Sequence, residues 1–294
     1  MVGLRRMADP VVDAAADQLR ADADFRDEAR ALTNACGRDI IGEEKAKLMS
    51  AALLPAAAPA TKAALEELLR ARRLQTEAPP LRGEDRRRVP IATGLLAIDA
   101  VLGGGLRRGE LSELHGPASS GRTGLALALA TGVTRRGALA AWVDPADRLD
   151  PVSAAAAGID LSRLLWLRGA KTRVAGSRPL TETLAATGTL LGSGLFDLVV
   201  LDLLGVPEPE LRRLPLTTWT RLERVVEGTS TALLLLAAAH VAHGPGGASM
   251  ALTPRGPCFM GAAGPGRLLR GLTAEVAVGR HVPRRAPLRL HACC

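Results

Sequence analysis

The alternation of apolar and polar positions divides this chain into a sparse first part and a dense remainder. Between Asp9 and Ala31 the sequence is charged and Ala-rich with weak periodicity, and Gly42 to Leu54 reads as a short helix stopped by Pro55 and Pro59. Thr61 to Gln75 gives the clearest helical pattern. Leu65, Leu68, Leu69 and Leu74 fall on or near one face, and Thr61 stands at the N-cap position. Such a stripe must bury itself on a core or on another protein. Pro79-Pro80 and the charged run Arg82 to Arg88 then read as a linker. This organisation predicts a helical, partly disordered N-terminal extension over 1–80 and a larger domain over 81–294.

From Val89 onward the period switches repeatedly between two and 3.6. Strands are predicted over Gly109 to His115, Gly137 to Asp144, Leu164 to Leu167, Phe196 to Asp202 and Ala232 to Ala239. Helices are predicted over Leu125 to Thr134, Pro179 to Leu191 and Leu216 to Glu227. His243 to Gly266 is rich in Gly and Pro and reads as one long loop, followed by late strands over Thr273 to Arg280 and Leu288 to Ala292. Strands alternating with helices predict an α/β fold with a mostly parallel sheet flanked by helices.

The stretch between the first of these strands and the first helix carries the chemistry. Gly116-Pro117-Ala118-Ser119-Ser120-Gly121-Arg122-Thr123 matches the P-loop pattern G-x-x-x-x-G-K-[ST] at every fixed position except the lysine, which is Arg122. In such a loop the glycines let successive N–H groups converge on phosphate, and the following helix presents its positive end to the same anion. Gly116, Ser119, Ser120, Gly121, Arg122 and Thr123 are therefore the candidate nucleotide-binding residues. Thr123 can hold Mg²⁺ through its hydroxyl. Arg122 keeps the positive charge of the missing lysine, but its planar fork is larger and differently shaped. Asp202, at the end of an apolar strand, is placed to act as the Walker-B acid and hold Mg²⁺ beside the loop. ATP and Mg²⁺ are the cofactors these residues imply.

Composition changes the picture in three respects. The longest apolar run, Ala232 to Ala239, is too short to span a bilayer, and the charged N-terminus has no long apolar segment of a secretory signal. Cys36, Cys258, Cys293 and Cys294 lack metal-ligand spacing, which points to a reducing cytoplasm and no membrane. The formal charge of +8 is unevenly placed: residues 241–294 hold seven arginines against Glu275 alone, a surplus of six. Arg267, Arg270, Arg280, Arg284, Arg285 and Arg289 are candidates for contact with DNA or an acidic partner, and a solvated basic tail is the alternative. With no Tyr and only three Phe, any DNA contact would be directed mainly at phosphate.

The order of these motifs resembles a known family. Thr93-Gly94-Leu95-Leu96-Ala97-Ile98-Asp99, then Gly103-Gly104-Gly105-Leu106-Arg107-Arg108-Gly109-Glu110, resembles the start of the core of the bacterial recombinase RecA. The similarity continues through the P-loop, where GPASSGRT stands against the family's GPESSGKT. It runs on through Trp142-Val143-Asp144, Leu149-Asp150-Pro151 and Gly158-Ile159-Asp160-Leu161. The resemblance implies a glutamate that activates water in the segment after Asp144, and Ala146 occupies its place. It implies an adenine-stacking aromatic two residues past Asp150-Pro151, where Ser153 stands. It implies a polar sensor near Ala237 or Ala238, with His240 the nearest substitute. Four departures in one pocket predict little or no ATP hydrolysis.

A degenerate RecA core carrying an N-terminal helix like Leu65 to Arg72 is similar to the ImuA family, the RecA-like accessory proteins of inducible mutagenesis. That likeness implies a part in the DNA-damage (SOS) response, in translesion synthesis. The implied partners are an ImuB-like Y-family polymerase homologue, an error-prone replicative-type polymerase and RecA. Two alternatives stay open at this stage: an active DNA-dependent ATPase or recombinase of the RecA family, and a cell-division inhibitor like SulA.

Overall fold

In the computed structural model, the described residues are 53–54, 62–71, 89–169, 179–242, 246–261, 267–279 and 283–291. Residues 48–294 group into one compact unit. The rest of the predicted N-terminal extension, the linker and Arg280 lie outside the described residues.

The chain builds a nine-stranded sheet in the order β1-β4-β3-β5-β6-β2-β7-β8-β9. The strands are β1 (Leu53–Leu54), β2 (Leu111–His115), β3 (Ala140–Asp144), β4 (Leu164–Arg168), β5 (Leu198–Asp202), β6 (Ala232–Ala237), β7 (Ser249–Met260), β8 (Leu268–Val278) and β9 (Arg284–His291). All pairings from β1 to β7 are parallel, and β7-β8-β9 close the sheet as an antiparallel meander. Every residue of β3, β5 and β6 is buried. This is the reason these strands read as continuous apolar runs rather than as alternations: helices cover both faces of a parallel sheet.

One face is covered by α3 (Arg122–Arg135), which sinks Leu125, Leu129 and Val133 against Leu114, Trp142, Val200 and Leu234. On the other face, α1 (Lys62–Ala71), α5 (Pro179–Ser193) and α7 (Thr217–Val226) pack against Leu165, Val199, Leu201 and Leu233. Leu65 and Leu69 of α1 are buried in this second core with Leu68 packed beside them, so this part of the apolar stripe is satisfied within the chain; Leu74 lies outside the described residues. Shorter helices α2 (Leu96–Leu102), α4 (Pro151–Ala156) and α6 (Glu208–Arg212) decorate the connections.

Two expectations are corrected. The helix predicted over Gly42 to Leu54 does not extend to its end: Leu53 and Leu54 form β1, pairing with Trp166 and Leu167 at the sheet edge. The long loop expected over His243 to Gly266 contains the twelve-residue strand β7. The prolines that argued against a strand sit where a sheet tolerates them. Only Ser249 to Ala251 pair with β2, so beyond that point β7 has β8 as its one neighbour, and the register shifts between Pro254 and Gly256. Proline lacks a ladder donor and is accommodated on such a free side or at a bulge.

Candidate functional site, a P-loop at the carboxyl edge of the sheet

The C-terminal ends of β2, β3, β5 and β6 bring Gly116 to Thr123, Asp144, Asp202 and Ala237 to one edge of the sheet. Ligands of open parallel sheets bind at this edge. The loop leaves β2 through Gly116 and enters α3 through Gly121, with φ of 155° and 93°. A Cβ on Gly116 would stand 2.4 Å from the Leu252 carbonyl oxygen, and one on Gly121 2.7 Å from Leu290 Cδ1. The loop is thus pressed onto β7 and β9, and only glycine fits at either end. Inside the curve, Ser120 is fully buried and its Oγ has no hydrogen-bond partner among the described residues. That Oγ lies 3.1 Å from where a Gly116 Cβ would be. An orphaned hydroxyl within a glycine-bounded turn, at the amino end of a fourteen-residue helix, fits a phosphate group.

Arg122 takes another path. Its Nη1 donates to the Ala237 carbonyl oxygen at 2.8 Å, at the end of β6. Burial lowers the Arg122 pKa, nearby Asp202 raises it and Arg148 lowers it, so three charged groups share this corner. Thr123 is exposed at the start of α3. Asp202 is 5% exposed, and its Oδ1 accepts from the Leu204 amide at 3.0 Å. Burial pushes its carboxyl up to about 6; the Leu204 bond opposes that and the Asp144 charge adds to it. Two further buried polar atoms have no partner of normal geometry among the described residues. They are Asp144 Oδ1 and Trp142 Nε1, the latter directed towards Asp202. The other oxygen of Asp144 is fully engaged, accepting from the Arg148 and Leu149 amides at 2.7 Å each.

Ala146 stands in the loop after β3. Ala146 Cβ lies only 2.3 Å from where a Cβ on Gly205 would sit. The neighbouring acid, Asp147, has φ of 53° and a two-pronged bond to Arg168 at 2.6 Å in each prong. Ser153 bonds back to Asp150, the N-cap of α4. The aliphatic part of Arg148 runs across Gly205, where an added Cβ would meet Arg148 Cδ at 2.6 Å. Gly205 and Arg148 were not singled out in the sequence. Their signal is weak there: an arginine two residues after Ala146, and a glycine three residues after Asp202.

Residues 81–212 match the RecA N-terminal domain family. The core is RecA-like. The RecA protein of Symbiobacterium thermophilum is 41% identical over 126 residues, covering 41% of this chain and 33% of that protein. The RecA protein of Synechococcus elongatus is 34% identical over 177 residues, covering 59% of this chain and 44% of that one. The chain therefore spans between a third and a half of the length of these relatives. Among solved structures, the crystal structure of the RadB recombinase aligns with a TM-score of 0.49 at 19% identity, covering 68% of this chain and 95% of that one.

Within the RecA-like core, His240 lies beside an acid of β2. Its Nδ1 contacts the buried Glu113 carboxylate, whose other oxygen accepts from the Val241 amide at 2.7 Å. The His240 ring also lies 5.3 Å from that of His115. Burial holds His115 below its usual pKa, Glu113 opposes this, and His240 and Arg122 add to it. The sequence hint for this group was Glu113 itself, an acid on the same strand face as buried Leu111.

The basic segment is divided rather than gathered into one patch. Arg284 and Arg289 are exposed on opposite faces of β9 by strand alternation. Arg285 shares the face of Arg289 but bonds Glu275 at 2.6 Å, and Arg255 bonds the same carboxylate at 2.8 Å. Both guanidiniums hold the Glu275 pKa down, Arg255 first. Arg267 stacks on Phe259 at 4.7 Å, at the end of the β7-β8 hairpin where Arg270 is also exposed. Among the described residues no helix is long and apolar enough to cross a membrane.

Proposed function

We propose that this RecA-like protein is a non-catalytic accessory factor that helps assemble an error-prone translesion synthesis complex in the SOS response. The observation that carries the reading is the path of Arg122. The cation that stands in place of the P-loop lysine is bonded to the end of β6, at the position where the RecA resemblance expects a polar sensor. A lysine acts there as a mobile point charge on the transferring phosphate, whereas this fork is anchored to a backbone carbonyl. Ala146 offers no group to activate water, and each missing base or electrostatic group costs orders of magnitude in rate. The loop itself still fits a polyphosphate anion, so nucleotide binding without turnover accords with the geometry.

The partners in this reading follow from the likeness to ImuA: an ImuB-like Y-family polymerase homologue, an error-prone replicative-type polymerase and RecA. Affinity purification of the full chain after DNA damage is expected to recover the polymerase homologue. Recovery of the cell-division GTPase with no polymerase subunit would contradict the proposal.

A weak contact with single-stranded DNA through β9 and the β7-β8 hairpin belongs to the same reading. The change Arg284→Glu is expected to weaken that binding and to make its salt dependence shallower, by about 0.7 for each phosphate no longer neutralised. An unchanged slope would show that this arginine is merely solvated.

A further inference from the structure

On the reading that this chain assembles with a partner protein, we infer that the exposed end of the β7-β8 hairpin docks in an apolar cleft rimmed by carboxylates on that partner.

Val152 and Leu216 are exposed singly, as on any protein surface, whereas Phe259, Met260, Leu268 and Leu269 gather at one place. Phe259 faces Leu269 across the hairpin, and Met260 faces Leu268. Successive residues of a strand point to opposite faces, so one apolar pair stands on each face. No third strand reaches them among the described residues: β7 pairs with β2 only through Ala251, and β8 pairs with β9 only from Gly271 onward.

The charges at this end are one-sided. Neither strand carries an acid between Ser249 and Ala274, whereas Arg267 and Arg270 stand exposed beside the apolar pairs. Arg267 lies over the Phe259 ring at 4.7 Å. Arg270 is the extra residue where the register slips from Cys258 opposite Gly271 to Phe259 opposite Leu269, and a bulge of this kind re-aims a strand end. Glu275, the next acid along β8, is already held by Arg255 and Arg285.

Aromatic residues, Met and Arg without Asp, Glu or Lys are the composition of an interface core. Apolar side chains on both faces require a cleft, since a flat surface would cover only one pair. The two arginines without an acid on their own strands call for carboxylates on the cleft's rim. A nucleic acid strand would engage the arginines but leave three aliphatic side chains in water, with Phe259 alone to stack. A second copy of this chain, in an isologous contact, would set the same arginines against themselves. Arg284, the DNA candidate on β9, pairs with Val278 at the opposite end of β8, so the two surfaces are separable.

The test is calorimetric titration of the full chain with the purified ImuB-like polymerase homologue of the proposed function. Phe259→Ser and Leu268→Ser, one on each face, should each weaken binding by about tenfold or more. Arg270→Glu should weaken it by about tenfold at low salt and flatten its dependence on salt. Leu216→Ser, which alters an exposed leucine elsewhere, should leave it unchanged. All four side chains are exposed, so the urea midpoints should stay close to that of the unaltered chain. An effect from one face alone would overturn the cleft, and an equal loss in Leu216→Ser would reduce the contact to unspecific apolar adhesion. Unchanged affinity in all three hairpin variants would overturn the inference and leave the assembly reading intact. Loss of oligothymidylate binding in the Phe259 and Leu268 variants, with the polymerase homologue still bound, would overturn it in favour of nucleic acid. No binding of the homologue by the unaltered chain would remove both readings.

Discussion

Replacing Arg108 with alanine is expected to lower the stability of the RecA-like core by about 3–5 kcal/mol, the range for breaking one side of a buried ion pair. The Arg108 and Asp197 side chains are 6% and 7% exposed, and Nη2 meets Oδ2 at 2.6 Å. The same guanidinium donates to the carbonyl oxygens of Ser230 at 2.6 Å and Val89 at 3.0 Å. One side chain therefore ties together the first described residue of the core and the approaches to β5 and β6, the strands that carry Asp202 and Ala237. Alanine leaves the Asp197 charge buried without this partner and removes a donor from two backbone carbonyls. Urea unfolding at unchanged slope measures the loss. Replacing both partners by apolar residues of similar volume should cost less than Arg108→Ala alone, because no lone charge remains. A loss under about 1 kcal/mol for Arg108→Ala would mean that the pair behaves like a surface ion pair.

Asp202→Asn is expected to do the reverse and stabilise the ligand-free protein at alkaline pH. Burial raises the Asp202 carboxyl from 3.8 to about 6, so the fold favours its neutral form. The stability associated with that preference is complete below the unfolded value near 3.8 and is lost as pH rises through about 6. Above that range the charged carboxylate costs the fold about 3 kcal/mol at about 1.4 kcal/mol per unit. Asparagine retains an oxygen for the Leu204 amide and carries no charge. The variant should gain about that amount at pH 8 and little at pH 4, read as the difference in urea midpoints. Equal stability of the two proteins at pH 8 would show that Asp202 is not held against its charge. A carboxylate kept at the sheet edge at such a cost is typical of a functional position, where stability is sacrificed for chemistry or binding.

The fold class was legible because buried parallel strands leave uninterrupted apolar runs, and β3, β5 and β6 are runs of this kind. The strand β7 was hidden because Pro254, Gly256 and Pro257 are local turn signals. Their tolerance depends on β2 ending early and β8 continuing, a relation between distant segments. The two-residue β1 was hidden for a related reason, since its strand character comes only from the edge of β4 that it covers. The P-loop was legible because spacing defines it, between β2 and α3. The directions of Arg122 and Arg148 were not. Each depends on a feature of another element: the carbonyl at the end of β6, and the missing side chain at Gly205. The basic segment was legible as charge and not as a surface. Its charge surplus is real in the sequence, but strand alternation and Glu275 divide it, and proximity along the chain does not make one surface.

On the proposed function, the pocket keeps a phosphate cradle and lacks the groups that hydrolyse ATP. Steady-state ATP turnover of the purified full chain, with Mg²⁺ and saturating single-stranded DNA, tests it most directly. The expected rate does not rise with DNA and is the same in Asp202→Ala. A robust, DNA-stimulated rate that disappears in Asp202→Ala would contradict it.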